Sequence, residues 1–408
     1  MPPDFAKPAA GVDRCRKPAT ILYVEGNQDG TIGGSFYSLL YLAGGLDRSR
    51  FQPIVVFHSY NSLIPRFNAA GVATRVIPHG RPVTGGTPFG RRYAKVANFA
   101  KGFVLEPLDL ARMLRRENVD LVHLNNSIIS NHVWMLAARF AGIPCVTHER
   151  GINETFSRRA KWLAQGLDAI ICISHAVSDN FARLGLSKLP LVTIPNGLDP
   201  RQMTASKSRA DILAGLEVDP RRPVIGIVGN IKRWKGQDVV IRALARLGPQ
   251  HGDVACLIIG DKSAANLAYS QELVTLIDDL GLKDRVVITG YRSNVADYIA
   301  ALDVLVHASV LPEPFGRVLL EGMAMQKPVV ASRGGAVPEI VVDGVTGLLF
   351  DAGDDARLAD ALASLLSDRG RMAAMGRAGH ARLVADFGIE RNVAATESVY
   401  ERALSSHR

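Results

Sequence analysis

Short, uninterrupted apolar runs recur along the chain, and segments with helical spacing separate them. Such runs are typical of parallel strands that helices cover on both faces of a sheet. Seven runs lie in the first half of the sequence, at residues 19–24, 53–57, 74–77, 121–124, 144–147, 169–173 and 191–194. Six more lie at residues 223–229, 255–260, 285–289, 304–306, 328–331 and 347–350. The sequence therefore predicts an α/β protein with two doubly wound parallel sheets.

The two series are separated by residues 194–200, which read I-P-N-G-L-D-P and indicate a hinge. With 408 residues, 47% of them hydrophobic, the chain is long enough for two cores. In such sheets ligands bind beyond the carboxyl ends of the strands, so we expect the site in a cleft between two domains. The predicted parts are a flexible tail at 1–18, a first domain at 19–195, a linker at 196–222, a second domain at 223–387 and a closing helix at 388–408.

Cysteine usage and the absence of targeting signals favour a cytoplasmic protein. Cys15, Cys145, Cys172 and Cys256 lie far apart and form no C-x-x-C pair, which favours buried reduced thiols. The predicted tail lacks the apolar core of a signal peptide, and no run approaches the about 18 to 20 apolar residues of a membrane span.

The excess positive charge lies entirely in the first half of the chain. Residues 1–199 hold 23 Lys and Arg against 14 Asp and Glu, whereas residues 200–408 hold 25 of each. We expect no nucleic acid partner, because no aromatic-interleaved basic platform accompanies this charge. An anionic membrane surface or a phosphorylated acceptor fits better. The basic, aromatic segment 88–105 is the candidate membrane contact, and an ordinary helix packed on the sheet with a solvated basic face is the alternative.

Residues 313–324 place two carboxylates, Glu313 and Glu321, eight positions apart around a proline and a glycine. We predict a loop that turns into a helix, with Pro314 at the first helical position. Free N–H groups around Phe315, Gly316 and Arg317 would then attract an anion at the helix N-terminus. The combination suggests a ligand that carries both hydroxyls and phosphates. A stabilised helix start with a solvated glutamate is the simpler alternative.

Two glycine-containing loops and two histidines complete the candidate site. In segment 30–35, Gly33 and Gly34 follow the first strand and allow close approach to an anion; the segment matches neither a dinucleotide fingerprint nor a P-loop, and a flexible turn is the alternative. Segment 229–236 carries Lys232, Arg233 and Lys235 after the first strand of the second domain, where a solvated basic loop is the alternative. Strand-end His148 is a candidate functional group, whereas His123 is expected to be structural.

The chain resembles glycosyltransferase family 4 over nearly its whole length. Residues 313–324 match its E-P-F-G-x-V-x-x-E-A-M-A signature with Gly322 in place of the usual alanine. Residues 194–199 resemble I-P-N-G-V-D with Leu198 at the valine, and residues 334–341 resemble G-G-x-P-E-I-V with one residue more before the proline. The resemblance implies the GT-B fold, in which an acceptor-binding and a donor-binding Rossmann-like domain face each other across a cleft. It also implies a retaining enzyme.

By resemblance, Glu313 contacts hydroxyls of the donor sugar, Glu321 binds the ribose hydroxyls, and His148 lies near the reacting sugar. Lys235 matches the lysine of the family's G-R-x4-K-G loop, but Asn230 stands at the arginine, so Arg233 or Lys232 is expected to replace it. The predicted catalytic residues are His148, Lys235 and Glu313. The predicted donor-binding residues are Gly33, Gly34, Asn230, Arg233, Lys235, Tyr291, Arg292, Glu313, Phe315, Gly316, Arg317, Val318 and Glu321.

These observations predict transfer of a sugar from a nucleotide-diphosphate sugar to a glycan or lipid-linked acceptor in cell-envelope or exopolysaccharide assembly. We expect no metal and no cofactor, because no D-x-D motif precedes a strand end in the manner of metal-dependent enzymes and Lys235 with helix N–H groups replaces the ion. The alternatives are a sugar-nucleotide epimerase or hydrolase of the same fold, and a non-catalytic sugar-nucleotide-binding protein.

Overall fold

Two parallel β-sheets form the framework of the computed structural model, which describes residues 17–26, 33–78, 84, 87–126, 128, 130–261 and 266–407. Within these residues, the first sheet has seven strands in the order β3-β2-β1-β4-β5-β6-β7, and the second has six in the order β10-β9-β8-β11-β12-β13. The predicted α/β class with two doubly wound sheets is confirmed. Most of the predicted tail and residues 30–32 lie outside the described residues.

The strands of the described residues, thirteen in all, coincide with the predicted apolar runs to within two residues at each end. Because the central strands are buried on both faces, their sequences are continuously apolar. Their bounds are β1 Ala19–Val24, β2 Phe51–Phe57, β3 Ala73–Val76, β4 Leu121–Leu124, β5 Cys145–Glu149, β6 Ala169–Cys172, β7 Leu191–Thr193, β8 Val224–Val228, β9 Ala255–Ile259, β10 Val286–Gly290, β11 Val304–His307, β12 Val329–Arg333 and β13 Gly347–Asp351.

Helices connect the strands and cover both sheets. Those of the first half are α1 Gly34–Gly45, α2 Ile64–Ala69, α3 Pro88–Ala100, α4 Glu106–Arg116, α5 His132–Ala141, α6 Arg158–Ala164 and α7 His175–Arg183. Those that follow are α8 Arg209–Ala214, α9 Gln237–Arg246, α10 Leu267–Asp279, α11 Val295–Ala301, α12 Arg317–Ala324, α13 Val337–Ile340, α14 Asp355–Leu366, α15 Arg369–Asp386 and α16 Ile389–Ser406. A π-helix, Lys101–Leu105, joins α3 to α4. Cys145, Cys172 and Cys256 are buried free thiols.

The two domains are joined by two chain segments that run side by side. The Leu198 N–H donates to the Phe387 carbonyl at 2.9 Å. Gly197 allows this approach, because a Cβ atom there would lie 2.7 Å from the Ile389 Cα atom. Beyond this crossing, α16 returns to the first domain, where the buried Tyr400 hydroxyl lies 2.9 Å from the Tyr23 hydroxyl. The closing helix therefore belongs to the first core.

Helix α12 begins three residues later than the sequence predicts. Pro314 is not helical; the helix starts at Arg317, after Gly316 adopts the left-handed conformation with φ of 93°. A Cβ atom at Gly316 would also lie 2.9 Å from Leu319 Cδ1, so both space and conformation favour glycine. The prediction for Pro314 was wrong because the Pro314 carbonyl is instead held by Ser174 of the first domain, at 2.7 Å from its Oγ atom.

The predicted helical segment 88–105 is helical, and it packs Phe103 against the core while it leaves several other apolar residues exposed. Tyr93 and Val96 are 64% and 66% exposed, whereas the neighbouring Ala94 is buried. Within the described residues, none of the helices combines the length and apolar character that crossing a bilayer requires.

Candidate active site

A cavity of about 520 Å³ lies between the two domains, where the carboxyl ends of their strands face each other. Most of the predicted donor-binding residues line it. These are Gly33, Gly34, Asn230, Lys235, Tyr291, Arg292, Glu313, Gly316, Arg317, Val318 and Glu321. The topology of the two sheets thus brings together segments that are almost 300 positions apart in the sequence.

An ion pair between Lys235 and Glu313 forms the centre of the site. Lys235 Nζ lies 2.7 Å from Glu313 Oε2, and Ser309 Oγ and His307 Nε2 reach the same oxygen at 3.0 and 3.1 Å. Burial alone would raise the pKa of Glu313, but the hydrogen bond from His307 and the charge of Lys235 outweigh it and hold that pKa at about 2. Glu313 is therefore a fixed anion at any physiological pH.

The backbone of Glu313 is held by the segment that resembles G-G-x-P-E-I-V. Ala336 N–H donates to the Glu313 carbonyl at 2.9 Å, and Gly335 forms a parallel β-bridge with Glu313. Gly335 has a φ of 58°, and a Cβ atom there would lie 2.1 Å from the Glu313 carbonyl oxygen. Glycine is therefore required at this position for the two segments to meet.

The N-terminus of α12 opens onto the same cavity. The N–H groups of Arg317 and Val318 have no partner within the helix by their position, and both residues line the cavity. Arg317 Nε donates to Glu321 Oε1 at 2.8 Å. Burial would lower the pKa of Arg317, but the charge of Glu321 outweighs it and raises that pKa. The predicted anion site and the predicted ribose-binding carboxylate are thus adjacent.

Arg317 also connects the second domain to α1 of the first. Its guanidinium carbon lies 5.1 Å from the ring centroids of both Tyr37 and Tyr41. Its Nη1 atom is buried and has no hydrogen-bond partner among the described residues. The aromatic residues of α1 gave no signal in the sequence, because their role depends on how the two domains face each other.

The basic loop 229–236 of the second domain places some of its cations in the cavity and one on the outer surface. Lys232, Trp234 and Lys235 line the cavity, as does the uncharged Asn230. Arg233 points away: its guanidinium carbon lies 4.7 Å from the Tyr269 ring centroid, and it pairs with Glu272 at 2.5 Å. The segment Arg233–Lys235 is a 3-10 helix, whose three residues per turn send successive side chains in different directions. Lys232 therefore lines the cavity and Arg233 does not, whereas the replacement of the missing arginine by either residue stays a prediction.

Two further predicted residues differ in what they present to the cavity. Arg292 lines it and has a buried Nε atom without a hydrogen-bond partner among the described residues. Phe315 does not line it, because its ring is buried 6.3 Å from the Phe387 ring at the domain crossing. The Phe315 side chain therefore belongs to the core, and the predicted contact of its backbone N–H with the donor stays a prediction.

His148 lies at the end of β5 in a buried polar chain and is not among the residues that line the cavity. Its Nδ1 atom is 2.7 Å from His123 Nε2, and His123 Nδ1 contacts the Tyr400 hydroxyl. Burial and the nearby Arg150 hold the pKa of both histidines well below the ordinary value, so both are neutral at pH 7. His123 is thus buried and hydrogen-bonded, as expected of a structural residue, and His148 shares its network; the catalytic role of His148 stays a prediction.

A larger crevice of about 880 Å³ lies between α1, α2 and α16, and four of its six charged lining residues already form ion pairs. Asp199 and Glu390 pair with Arg201, and Glu397 pairs with Arg50. The cavity between the domains is therefore the better candidate for an anionic ligand. Among the described residues, no group of three His, Cys, Asp or Glu side chains is arranged to hold a metal ion.

Two facing parallel-sheet domains that share a cation-rich cavity define an enzyme of the GT-B architecture. The chain belongs to glycosyltransferase family 4 and is a glycosyltransferase. Residues 32–202 match the model described as Glycosyltransferase Family 4, and residues 208–382 match Glycosyl transferases group 1.

Relatives and solved structures agree with this assignment. The chain is 32% identical to the lipopolysaccharide core biosynthesis mannosyltransferase LpsB of Rhizobium meliloti, over 60% of this chain and 68% of that protein. It is 29% identical to the alpha-maltose-1-phosphate synthase of Mycolicibacterium smegmatis, over 70% of this chain and 82% of that protein. Among solved structures, Anabaena HepE in complex with UDP and glucose superposes with a TM-score of 0.78 at 27% identity, covering 94% of this chain and 99% of that one.

Proposed function

We propose that this enzyme transfers a hexose from a nucleotide-diphosphate sugar to a glycan or lipid-linked acceptor of the cell envelope or an exopolysaccharide, with retention of configuration and without a metal ion. The observation that carries the proposal is the Lys235–Glu313 pair beside the open N-terminus of α12. The pair offers a carboxylate to sugar hydroxyls next to donors for a diphosphate. HepE, which was solved with UDP-glucose, supports a nucleotide sugar as the donor class.

The charge balance of the cavity supports stabilisation of a diphosphate leaving group. Its charged lining residues are Arg66, Lys232, Lys235, Arg292, Arg317, Glu313 and Glu321. Both carboxylates are already paired, with Lys235 and Arg317. The remaining cations, Lys235 beside Glu313 and the helix N–H groups therefore face the diphosphate, which gains negative charge as its bond to the sugar breaks.

The arrangement of carboxylates favours transfer on one face of the sugar. Retaining hydrolases use two carboxylates about 5 Å apart, one as nucleophile. In this cavity, Glu321 is bound to Arg317 beside the helix N-terminus, and three donors hold Glu313 Oε2. Glu313 therefore orients the sugar through Oε1 and stabilises positive charge on it, and the departing phosphate accepts the proton of the acceptor hydroxyl.

A panel of donors tests this proposal. Thermal midpoints are measured with uridine, guanosine and adenosine diphosphate sugars, since a ligand at 100 times its dissociation constant stabilises by about 2.7 kcal/mol. The stabilising donor is then incubated with lipid-linked and glycan acceptors in the presence of a chelator, and the anomeric configuration of the product is determined by NMR. Release of free or epimerised sugar without any acceptor would favour the epimerase or hydrolase alternative. Binding without turnover would favour the non-catalytic alternative.

Glu321→Gln is expected to weaken nucleotide binding with little loss of turnover at saturating donor. The variant removes the charge that we assign to the ribose hydroxyls, and a charged hydrogen bond contributes about 1.5 to 3 kcal/mol. We therefore expect a loss of about 10-fold or more in affinity for the nucleoside diphosphate, measured by calorimetry. Glu272→Gln, at an exposed ion pair in the same domain, is the matched control. Unchanged affinity in the Glu321 variant would contradict the ribose assignment.

The exposed face of α3 supports docking on an anionic membrane at the inner leaflet. Tyr93, Val96 and Phe99 are at least half exposed, and Leu105 of the following π-helix is 58% exposed. The exposed side chains of Arg91, Arg92 and Lys95 lie on the same helix. Aromatic and apolar side chains can enter the interface while the cations meet lipid phosphates, each worth about 1 kcal/mol.

Wild-type protein is expected to co-sediment with vesicles that contain anionic phosphatidylglycerol and to remain in solution with neutral phosphatidylcholine vesicles. Arg91/Arg92/Lys95→Glu should abolish this binding, and high salt should weaken it, because the attraction decays within about 8 Å at physiological ionic strength. Arg369/Arg377/Arg391→Glu changes the net charge equally on exposed positions outside the first sheet and is the control. If wild type ignores anionic vesicles at low salt, the docking proposal is wrong.

A further inference from the structure

A single carboxylate of the second domain binds the N-terminus of a helix in the first. Glu339, in α13, accepts the N–H groups of His175 and Ala176 through its two oxygens, each at 2.8 Å. These are the first residues of α7, where unsatisfied N–H groups and the helix dipole favour an anion. The adjacent Ser174 Oγ donates to the Pro314 carbonyl at 2.7 Å. One helix start in the first domain thus receives two contacts from the second.

Both contacts come from the unit that holds Glu313. Pro314 directly follows Glu313, and α13 begins just after Gly335 and Ala336, whose backbones bind that of Glu313. Helix α13 is itself fixed to α15, because the Arg382 guanidinium donates to the carbonyls of Glu339 and Ile340, both at 2.9 Å. A movement that separates Glu339 from α7 is therefore expected to displace the backbone segment that holds Glu313.

The residues that line the cavity belong to two groups, one in each domain. Lys235, Glu321 and Arg292 all belong to the second domain, so the contacts with the nucleotide that we assign to them do not require the first domain. Gly33, Gly34 and Tyr37 belong to the first domain and line the same cavity only when the domains are together. A group that holds the domains together is thus expected to affect turnover more than binding of the nucleotide.

We propose that Glu339 is a positioning residue that closes the cleft onto the donor by binding the N-terminus of α7, and that this closure sets the position of Glu313. The inference rests on the proposed transfer reaction, in which the acceptor from the first domain meets the sugar held by the second. Loss of the two hydrogen bonds from the α7 N–H groups to Glu339 shifts the population toward separated domains. The reacting groups then meet less often, while the nucleotide contacts of the second domain persist.

The experiment compares wild type, Glu339→Gln, Glu339→Ala and the control Glu272→Gln. We expect kcat to fall by about 10-fold in Glu339→Gln and further in Glu339→Ala, because glutamine retains one acceptor oxygen and alanine retains none. The dissociation constant of the stabilising nucleoside diphosphate should stay within about twofold of wild type. Ser174→Ala should lower kcat in the same direction by less. Small-angle scattering of the nucleotide-bound protein should give a larger radius of gyration for Glu339→Ala than for wild type.

Unchanged kcat together with an unchanged radius of gyration would overturn the inference. Equal losses of kcat and nucleotide affinity with a lowered thermal midpoint would also overturn it, because they indicate a merely structural role. If wild type transfers no sugar from any donor, the proposed function fails, and the scattering comparison with uridine or guanosine diphosphate still decides whether Glu339 closes the cleft.

Discussion

Replacing Lys235 with alanine is expected to lower turnover by about 100- to 1,000-fold, the range seen when one preorganised donor to a developing charge is removed. Lys235 forms the ion pair with Glu313 at the centre of the site, and its ammonium also lies 4.0 Å from the Trp234 ring centroid. The neighbouring Asn230 carries no charge that could replace it. Because negative charge develops on the diphosphate in the transition state, the loss should appear mainly in kcat.

Steady-state kinetics with saturating donor measure this effect, and Arg233→Ala is the matched control. Both cations belong to the same short 3-10 helix, but Arg233 pairs with Glu272 outside the cavity. We therefore expect Arg233→Ala to stay within about twofold of wild type, and Lys232→Ala to fall between the two. A larger loss in Arg233→Ala than in Lys235→Ala would mean that the loop rearranges when the donor binds.

The strands were predictable because a strand that is buried on both faces has a continuous apolar sequence, as in β9 Ala255–Ile259. The start of α12 was not, because it depends on a contact between distant parts of the chain. Pro314 suits a helix start by its own chemistry, but its carbonyl accepts the Ser174 hydroxyl of the first domain at 2.7 Å. Gly316 then takes the left-handed conformation that delays the helix. Tertiary contacts therefore outweighed the local preference.

Some residues of the candidate site could likewise be predicted from the sequence, and others could not. Glu313, Lys235 and Glu321 are recognisable because their spacing to glycines and strand ends is local. His307 ends the otherwise apolar strand β11, and Ser309 follows it; both share the Glu313 oxygen and carry no motif of their own. The only available signal was their position, since polar residues at or just after the end of a parallel strand lie at the ligand edge of the sheet. The side on which Arg233 lies depends on the local helix type, which the sequence did not indicate.

Glu313→Gln is expected to lower turnover by about 100-fold, the upper end of what a charged hydrogen bond contributes, with little change in affinity for the nucleoside diphosphate. Glutamine keeps the size of the side chain but removes the anion that Lys235, His307 and Ser309 surround. The nucleotide contacts at the N-terminus of α12 are untouched. Weakened nucleotide binding with wild-type turnover would reverse the roles that we assign to Glu313 and Glu321.

The stability that Glu313→Gln loses relative to wild type should also depend on pH. A pKa of about 2 against an ordinary value of 4.5 means that the folded protein favours ionised Glu313 by about 3 kcal/mol. Because the folded-state pKa is lowered, this stabilisation is fully present above about pH 4.5 and is lost as the pH falls toward 2. Glutamine does not titrate, so the difference in thermal midpoint between wild type and Glu313→Gln should narrow from pH 7 to pH 3. For the exposed Glu272→Gln control, we expect a small difference that hardly changes with pH. A constant difference for Glu313→Gln would mean that the carboxylate is not held as an anion by its three donors.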